Sequence, residues 1–205
     1  MIKIKNKFVP GFTLLEVLVT VAIIGIMATV ALVSTQRGKI DKEVSVAAEQ
    51  VASSIREAQN YALSGKQPDA TNTACGFGFR RSSANAYSVF YNHTTEDLVT
   101  CNAIIKYYST TIPNQVSASL NSSGIILPNG VSFYNNASTG AMNSQIVYFL
   151  IPFAIVYNFD GDTLGAIKTI MVGKDSIYYA ICVSPVGAVE VKKVEGDEAT
   201  FDCDN

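Results

Sequence analysis

The chain has 205 residues, of which 48% are hydrophobic and 16% charged, and its formal net charge is −2. This length accommodates one ordinary domain with an appendage but not two large domains, and the composition excludes a chain that is disordered throughout. The weakly acidic balance differs from the basic face that nucleic-acid-binding proteins present.

The amino-terminal segment combines a basic start with a long apolar run. Lys3, Lys5 and Lys7 precede the run, and no lysine or arginine follows until Arg37. This asymmetry predicts a cytoplasmic amino terminus and places the remainder of the chain outside. Residues 12–33 would form a helix of roughly 33 Å, which is long enough to cross a hydrocarbon core. We therefore expect a single-pass protein of the cytoplasmic (inner) membrane.

Three interpretations of this run are open. A cleaved signal peptide fits the basic start, but the run is longer than usual, contains Glu16 and has no clear A-x-A site, TVA at 29–31 being the nearest candidate. An uncleaved anchor fits the length but leaves Glu16 unexplained, because an ionisable group in a membrane helix is costly and usually functional. The third interpretation comes from the stretch G-F-T-L-L-E at 11–16.

This stretch and the apolar run behind it, including AIIGI at 22–26, resemble the class III signal of type IV pilins and pseudopilins. The resemblance implies that a prepilin peptidase cuts between Gly11 and Phe12 and methylates the new terminus at Phe12. It also implies that Glu16 meets the terminal amine of a neighbouring subunit during filament assembly. Gly11 offers no side chain at the cut, and the amine at Phe12 would lie one helical turn from Glu16.

The helical pattern continues beyond the apolar run. Apolar residues recur at steps of three and four from Ile40 to Ala62, and Ser64-Gly65 predicts the helix end. The chain then divides into a cytoplasmic leader cleaved from the rest (1–11), a transmembrane and polymerisation helix (12–33), an amphipathic continuation (34–64) and an extracytoplasmic β-rich head (65–205).

The head has short apolar runs separated by Asn, Ser, Gly and Pro, which predicts strands. We predict strands at 76–80, 87–92, 104–109, 124–127, 131–134, 145–151, 154–159, 166–171, 177–184 and 188–194. SPVG at 184–187 predicts a hairpin turn, and Pro152 divides an apolar run into two strands. The expected fold is α+β, with one long amino-terminal helix packed on an antiparallel β-sheet head, as in pilins.

The head carries a second resemblance. The stretches at 55–65, 75–92, 157–166 and 181–191 are similar to H-type pseudopilins and minor pilins. This resemblance implies a structural, non-enzymatic subunit of a type IV pilus or of a type II secretion pseudopilus. The implied partners are prepilin peptidase, other pilin subunits and the assembly machinery of the inner membrane.

Four cysteines predict two disulfides in an oxidising compartment. They are Cys75, Cys101, Cys182 and Cys203. Three pairings are open, and we favour Cys75–Cys101 and Cys182–Cys203 because each closes a modest loop.

Other motifs predict little chemistry. GFGF at 76–79 lacks the third glycine of a nucleotide-binding loop and fits a strand better. His93 lies in NHTTED, which we expect to be a polar loop, without a cysteine or serine nucleophile beside it. DGD at 160–162 and the acidic tail at 195–205 are the alternatives for calcium ligands, although neither matches an EF-hand loop. We expect no metal and no other cofactor.

Two basic pairs leave a second function open. Arg80-Arg81 and Lys192-Lys193 could contact phosphates, as in a minor pilin that binds DNA during uptake. An adhesive minor pilin whose head contacts another ligand belongs to the same alternative. We expect instead that both pairs are solvated strand ends on an acidic domain.

Overall fold

A computed structural model gives the structure of most of the chain. It describes residues 11–68, 73–94, 116–119, 124–128, 130–134, 146–151, 153–157, 163–195, 201 and 203. For 30–34, 73, 94 and 116–119 the description covers the backbone alone.

The helix α1 extends over Leu14–Ser64, close to the predicted range. Gly65 ends it with a positive φ of 60°, a conformation that costs glycine little. The amide of Lys66 donates to the carbonyl of Tyr61 (3.1 Å) and the amide of Gly65 to that of Ala62 (3.3 Å). These two bonds form a Schellman motif, which satisfies carbonyls that the helix leaves without partners. The predicted stop at Ser64-Gly65 is confirmed.

The chain divides into two compact units, Met1–Lys39 and Ile40–Asn205. In the first unit the large apolar side chains from Phe12 to Met27 are 46–84% exposed. The sequence predicts a membrane span at 12–33; of the helical residues that the structure describes, no stretch is long and apolar enough to cross a membrane.

In the part of the second unit that the structure describes, ten strands form two antiparallel sheets. The strands are β1 (Thr73–Arg81), β2 (Ala86–Thr94), β3 (Val116–Ser119), β4 (Ile125–Ile126), β5 (Ser132–Tyr134), β6 (Ile146–Leu150), β7 (Ile155–Tyr157), β8 (Lys168–Lys174), β9 (Ile177–Val183) and β10 (Val189–Lys193). The first sheet has the order β3-β2-β1-β6-β7, with β4 also pairing β2, and the second has the order β10-β9-β8-β5.

Nine predicted strands are confirmed with shifts of a few residues at their ends, and the hairpin turn at 184–187 is confirmed by the hydrogen bond from Gly187 N to Ser184 O (2.9 Å). The strand predicted at 104–109 lies outside the described residues. Strand β3 was not predicted, because V-S-A-S is short and carries no apolar alternation.

The head core lies between the second half of α1 and the inner faces of both sheets. On the helix its fully buried members recur at the predicted spacing: Val44, Ala47, Ala48, Val51, Ala52, Ile55, Ala58 and Ala62. The first sheet contributes Phe77 and Phe79, among others, and the second contributes Ile170 and Ile181. A helix packed on antiparallel sheets is the expected α+β fold, which is confirmed.

Ion pairs also fasten the helix to the second sheet. Lys193 Nζ lies 2.6 Å from Asp41 Oδ1, which also accepts a hydrogen bond from the Tyr179 hydroxyl (3.2 Å). Lys174 Nζ lies 2.8 Å from Glu43 Oε2. The pKa of Asp41 is lowered, chiefly by the hydrogen bond from Lys193. Polar contacts from Asp41 and Glu43 of α1 to the second sheet therefore add to the packing of the helix.

One predicted disulfide is confirmed. Cys182 of β9 is bonded to Cys203, with 5.8 Å between their Cα atoms. The bond lies in a small apolar cluster that includes Met171 and Ala180 on strands β8 and β9. Cys75 is also disulfide-bonded, but its predicted partner Cys101 lies outside the described residues.

Candidate processing and assembly segment

The predicted cleavage site lies just outside the helix. Gly11, Phe12 and Thr13 have no helical backbone, and α1 begins at Leu14. The Phe12 side chain is 80% exposed, and a Cβ placed on Gly11 would meet no described residue within 4 Å apart from its chain neighbours. Among the described residues, none from elsewhere in the chain would obstruct a hydrolase at the Gly11–Phe12 peptide bond.

Thr13 closes the first turn of the helix. Its carbonyl accepts hydrogen bonds from the amides of Glu16 (3.1 Å) and Val17 (3.3 Å). Its hydroxyl Oγ1 also accepts from the amide of Glu16 (3.3 Å). This is the geometry of an N-cap residue, whose side chain satisfies an amide that has no partner inside the helix.

Thr13 was not among the predicted site residues, although its neighbours in the sequence carry a capping signal. Thr13-Leu14-Leu15-Glu16 has the T-x-x-E spacing of a capping box directly before an apolar helix. Glu16 consequently stands in the first turn of α1, where the helix dipole favours an anion. The helix itself accommodates Glu16 at this position, so a partner subunit is not the only reason for a carboxylate here.

The chemistry that the segment allows is a proteolytic cut followed by charge pairing. Hydrolysis between Gly11 and Phe12 would create an amine at Phe12. That amine would stand four residues before Glu16 along the chain, and the two charges would lie one helical turn apart if the helix extended back to Phe12 after the cut. The segment therefore has the residue types that such a cut and such a pairing would need, at the start of an exposed apolar helix.

The two arginines considered as the alternative for DNA contact both make contacts within the head. Arg80 Nε donates to Ser88 Oγ (3.3 Å), and its guanidinium lies 5.5 Å from the ring centre of Phe90. Arg81 is only 8% exposed, its Nε donates to the carbonyl of Ser83 (2.9 Å), and burial lowers its pKa. The expectation that this pair is solvated is wrong for Arg81.

The two lysines lie in the other sheet. Lys193 pairs with Asp41, and Lys192 Nζ lies 3.7 Å from Glu190 Oε2. They belong to the edge strand β10 of the second sheet, whereas Arg80 and Arg81 belong to β1 of the first. DNA contact by these four cations stays an untested alternative, and no contact among the described residues favours it.

The GFGF motif is part of a strand, as predicted. Its phenylalanines, Phe77 and Phe79, enter the core beneath α1. A Cβ on Gly78 would come within 2.7 Å of Phe90 Cζ, and one on Gly76 within 2.5 Å of the Tyr148 hydroxyl. The two glycines leave room for rings of the neighbouring strands, so they have a packing role.

His93 does not lie in a loop, as we expected, but in strand β2, because pairing with β1 continues to Thr94. It is 8% exposed, and its ring lies 5.7 Å from that of Tyr91. Its Nδ1 has no hydrogen-bond partner among the described residues. Pairing and burial account for its position without a catalytic role.

Among the described residues, no three His, Cys, Asp or Glu side chains are grouped to hold a metal ion. DGD at 160–162 and most of the acidic tail lie outside that part of the chain. Calcium binding at these stretches therefore stays an untested alternative.

Comparison with known proteins bears on the amino-terminal segment alone. No curated protein and no solved structure matches the chain. Residues 9–32 match the model of the prokaryotic N-terminal methylation motif, the class III prepilin signal of type IV pilins and pseudopilins.

Proposed function

We propose that the protein is a pilin-like structural subunit that prepilin peptidase cuts between Gly11 and Phe12 and that then assembles into a filament through α1. The observation that carries this proposal is the match of residues 9–32 to the N-terminal methylation motif. The exposed, non-helical site around Phe12 supports it, since the motif and an accessible peptide bond coincide. Proteins with this motif are structural and not enzymatic.

The exposed apolar helix supports assembly. Large side chains from Phe12 to Met27 that are about half exposed or more form a surface of a size that soluble monomers rarely leave uncovered. We infer that lipid of the inner membrane buries this surface before assembly, with the lysine-rich leader in the cytoplasm. After assembly, helices of neighbouring subunits would bury it instead. Other pilin subunits and the inner-membrane assembly machinery are the partners that this route requires.

The finer assignment rests on the head. Its α+β fold and the stretches at 55–65 and 75–92 support an H-type pseudopilin or minor pilin, in a type IV pilus or a type II secretion pseudopilus. We propose a minor subunit, since this is the class that the head resembles.

Mass spectrometry of the mature chain from a host with a prepilin peptidase tests the processing step. We expect loss of residues 1–11 and one methyl group on the new amino terminus at Phe12. A chain that keeps Met1, or one cut near Ala31 as a signal peptide would be, overturns the proposal. A host that lacks the peptidase is the control and should yield the uncut chain.

Two substitutions of Glu16 test the assembly step. Glu16→Gln removes the charge but keeps a side chain that suits the third position of a capped helix, whereas Glu16→Ala removes both. If the charge pairs with the Phe12 amine of a neighbour, both variants are processed normally but are depleted from sheared filaments. Normal filament entry of Glu16→Gln would show that the carboxylate serves only the helix cap.

A further inference from the structure

The start of α1 has a consequence for the cut itself. The helix begins three residues after Gly11. Among the described residues, the carbonyl and the hydroxyl of Thr13 accept the hydrogen bonds that close its first turn. No described residue beyond its chain neighbours lies within 4 Å of a Cβ placed on Gly11, and Phe12 is largely exposed. In the part of the chain that the structure describes, the interaction that marks this boundary is the cap at Thr13.

A helix that continued backwards would engage the scissile bond. The carbonyl of Gly11 would then accept a hydrogen bond from the amide of Leu15, because each carbonyl inside an α-helix accepts from the amide four residues later. In apolar surroundings such extension is favoured, because amides without partners are costly there. To join the helix, however, Thr13 would have to give up the bond from the Glu16 amide to its Oγ1, which opposes extension.

We infer that Thr13 is a positioning residue for processing: as the N-cap of α1, it holds the Gly11–Phe12 bond outside the helix, where the peptidase can bind it in extended form. This inference rests on the proposed function. In the cut, water adds to the Gly11 carbonyl carbon and the C–N bond breaks. Gly11 leaves as a carboxylate and Phe12 becomes an amine, so no oxidant or further reactant is needed.

The test compares cleavage of full-length variants by a bacterial prepilin peptidase in membrane vesicles. Thr13→Val keeps the branched shape without the hydroxyl, and Thr13→Ser keeps the hydroxyl without the methyl. Loss of a typical N-cap shifts the balance between capped and extended helix about fivefold. We therefore expect kcat/KM to fall up to about fivefold for Thr13→Val and to stay at the wild-type value for Thr13→Ser.

Thr20 provides a matched control in the same helix. Its hydroxyl donates to the carbonyl of Val17 (2.8 Å) and caps nothing. Thr20→Val makes the same chemical change, and we expect it to be cut at the wild-type rate. Amide exchange gives a second readout: the Leu15 amide should gain protection in Thr13→Val and not in Thr13→Ser.

The outcomes distinguish failure of the inference about Thr13 from failure of the proposed function. If Thr13→Val is cut like the wild type while Thr13→Ser is slower, the peptidase reads the shape of the side chain and the inference is overturned. Equal rates for all variants overturn it as well, and the proposed function stands in both cases. If the wild-type chain is not cut after Gly11, the proposed function fails and the inference fails with it.

Discussion

Substitution of Gly78 tests whether the glycines of the GFGF motif are needed for close packing in the first sheet. The nearest atoms to a Cβ at this position are Phe90 Cζ at 2.7 Å and the Val147 carbonyl oxygen at 2.8 Å. Both contacts are shorter than carbon atoms tolerate, and neither neighbour moves easily. Phe90 is fully buried and stacks on Tyr148 with 6.1 Å between ring centres, and the carbonyl belongs to strand β6, which pairs with β1.

Gly78→Ala should therefore overpack this face of the first sheet. A forced methyl group in a packed core costs about 1–3 kcal/mol. For a chain of this size each kcal/mol lowers the melting temperature by about 2–4 °C, so we expect a decrease of about 2–12 °C. Thermal unfolding of the full chain in detergent, followed by far-UV circular dichroism, measures it.

Gly165 is the matched control. A Cβ there meets no described residue within 4 Å and its φ is not positive, so Gly165→Ala should melt at or slightly above the wild-type temperature. If Gly78→Ala melts with the wild type, the reasoning from close approach is refuted. The glycines would then need another explanation, and the nucleotide-loop interpretation would have to be tested directly.

Two further predictions concern the head. Replacing both Cys182 and Cys203 by alanine opens a loop with a sequence separation of 21, and should lower the free energy of unfolding by about 3 kcal/mol; an unchanged guanidinium midpoint would contradict this. Because the hydrogen bond from Lys193 lowers the pKa of Asp41 below its ordinary value, their ion pair stabilises the head at neutral pH. That stability is lost as the pH falls from the unfolded-state pKa of Asp41 through its lower folded-state pKa. Wild type should accordingly lose more stability than Asp41→Asn between about pH 7 and pH 3, measured by urea midpoints, and parallel losses would refute the linkage.

Most local structure was predictable from the sequence because its causes lie within a few residues. The apolar spacing from Ile40 to Ala62 and the glycine at 65 define the second half of α1 and its end. Alternation in runs such as V-E-V-K at 189–192 defines strands. The methylation motif is recognised in the same way, since its glycine, phenylalanine and glutamate stand at fixed spacing along one chain.

The candidate site was predictable in its residues but not in its geometry. Gly11, Phe12 and Glu16 followed from the motif, whereas the capping role of Thr13 appeared only with the hydrogen bond from the Glu16 amide. The T-x-x-E spacing was visible in the sequence. The exposed peptide bond before it depended on where the helix begins, and helix starts are set by competition among a few weak bonds.

Local sequence patterns were enough to predict the helix, most of the strands and the candidate processing segment, because hydrophobic period and helix-end chemistry act over short separations. Three features became visible in the folded molecule alone: β6 lies between β1 and β7, Arg81 is buried, and the rings of Phe90 and Tyr148 occupy the space beside Gly78 and Gly76. These features depend on partners far apart in the chain. Packing of whole strands against each other selects such partners, so a local sequence pattern does not predict them.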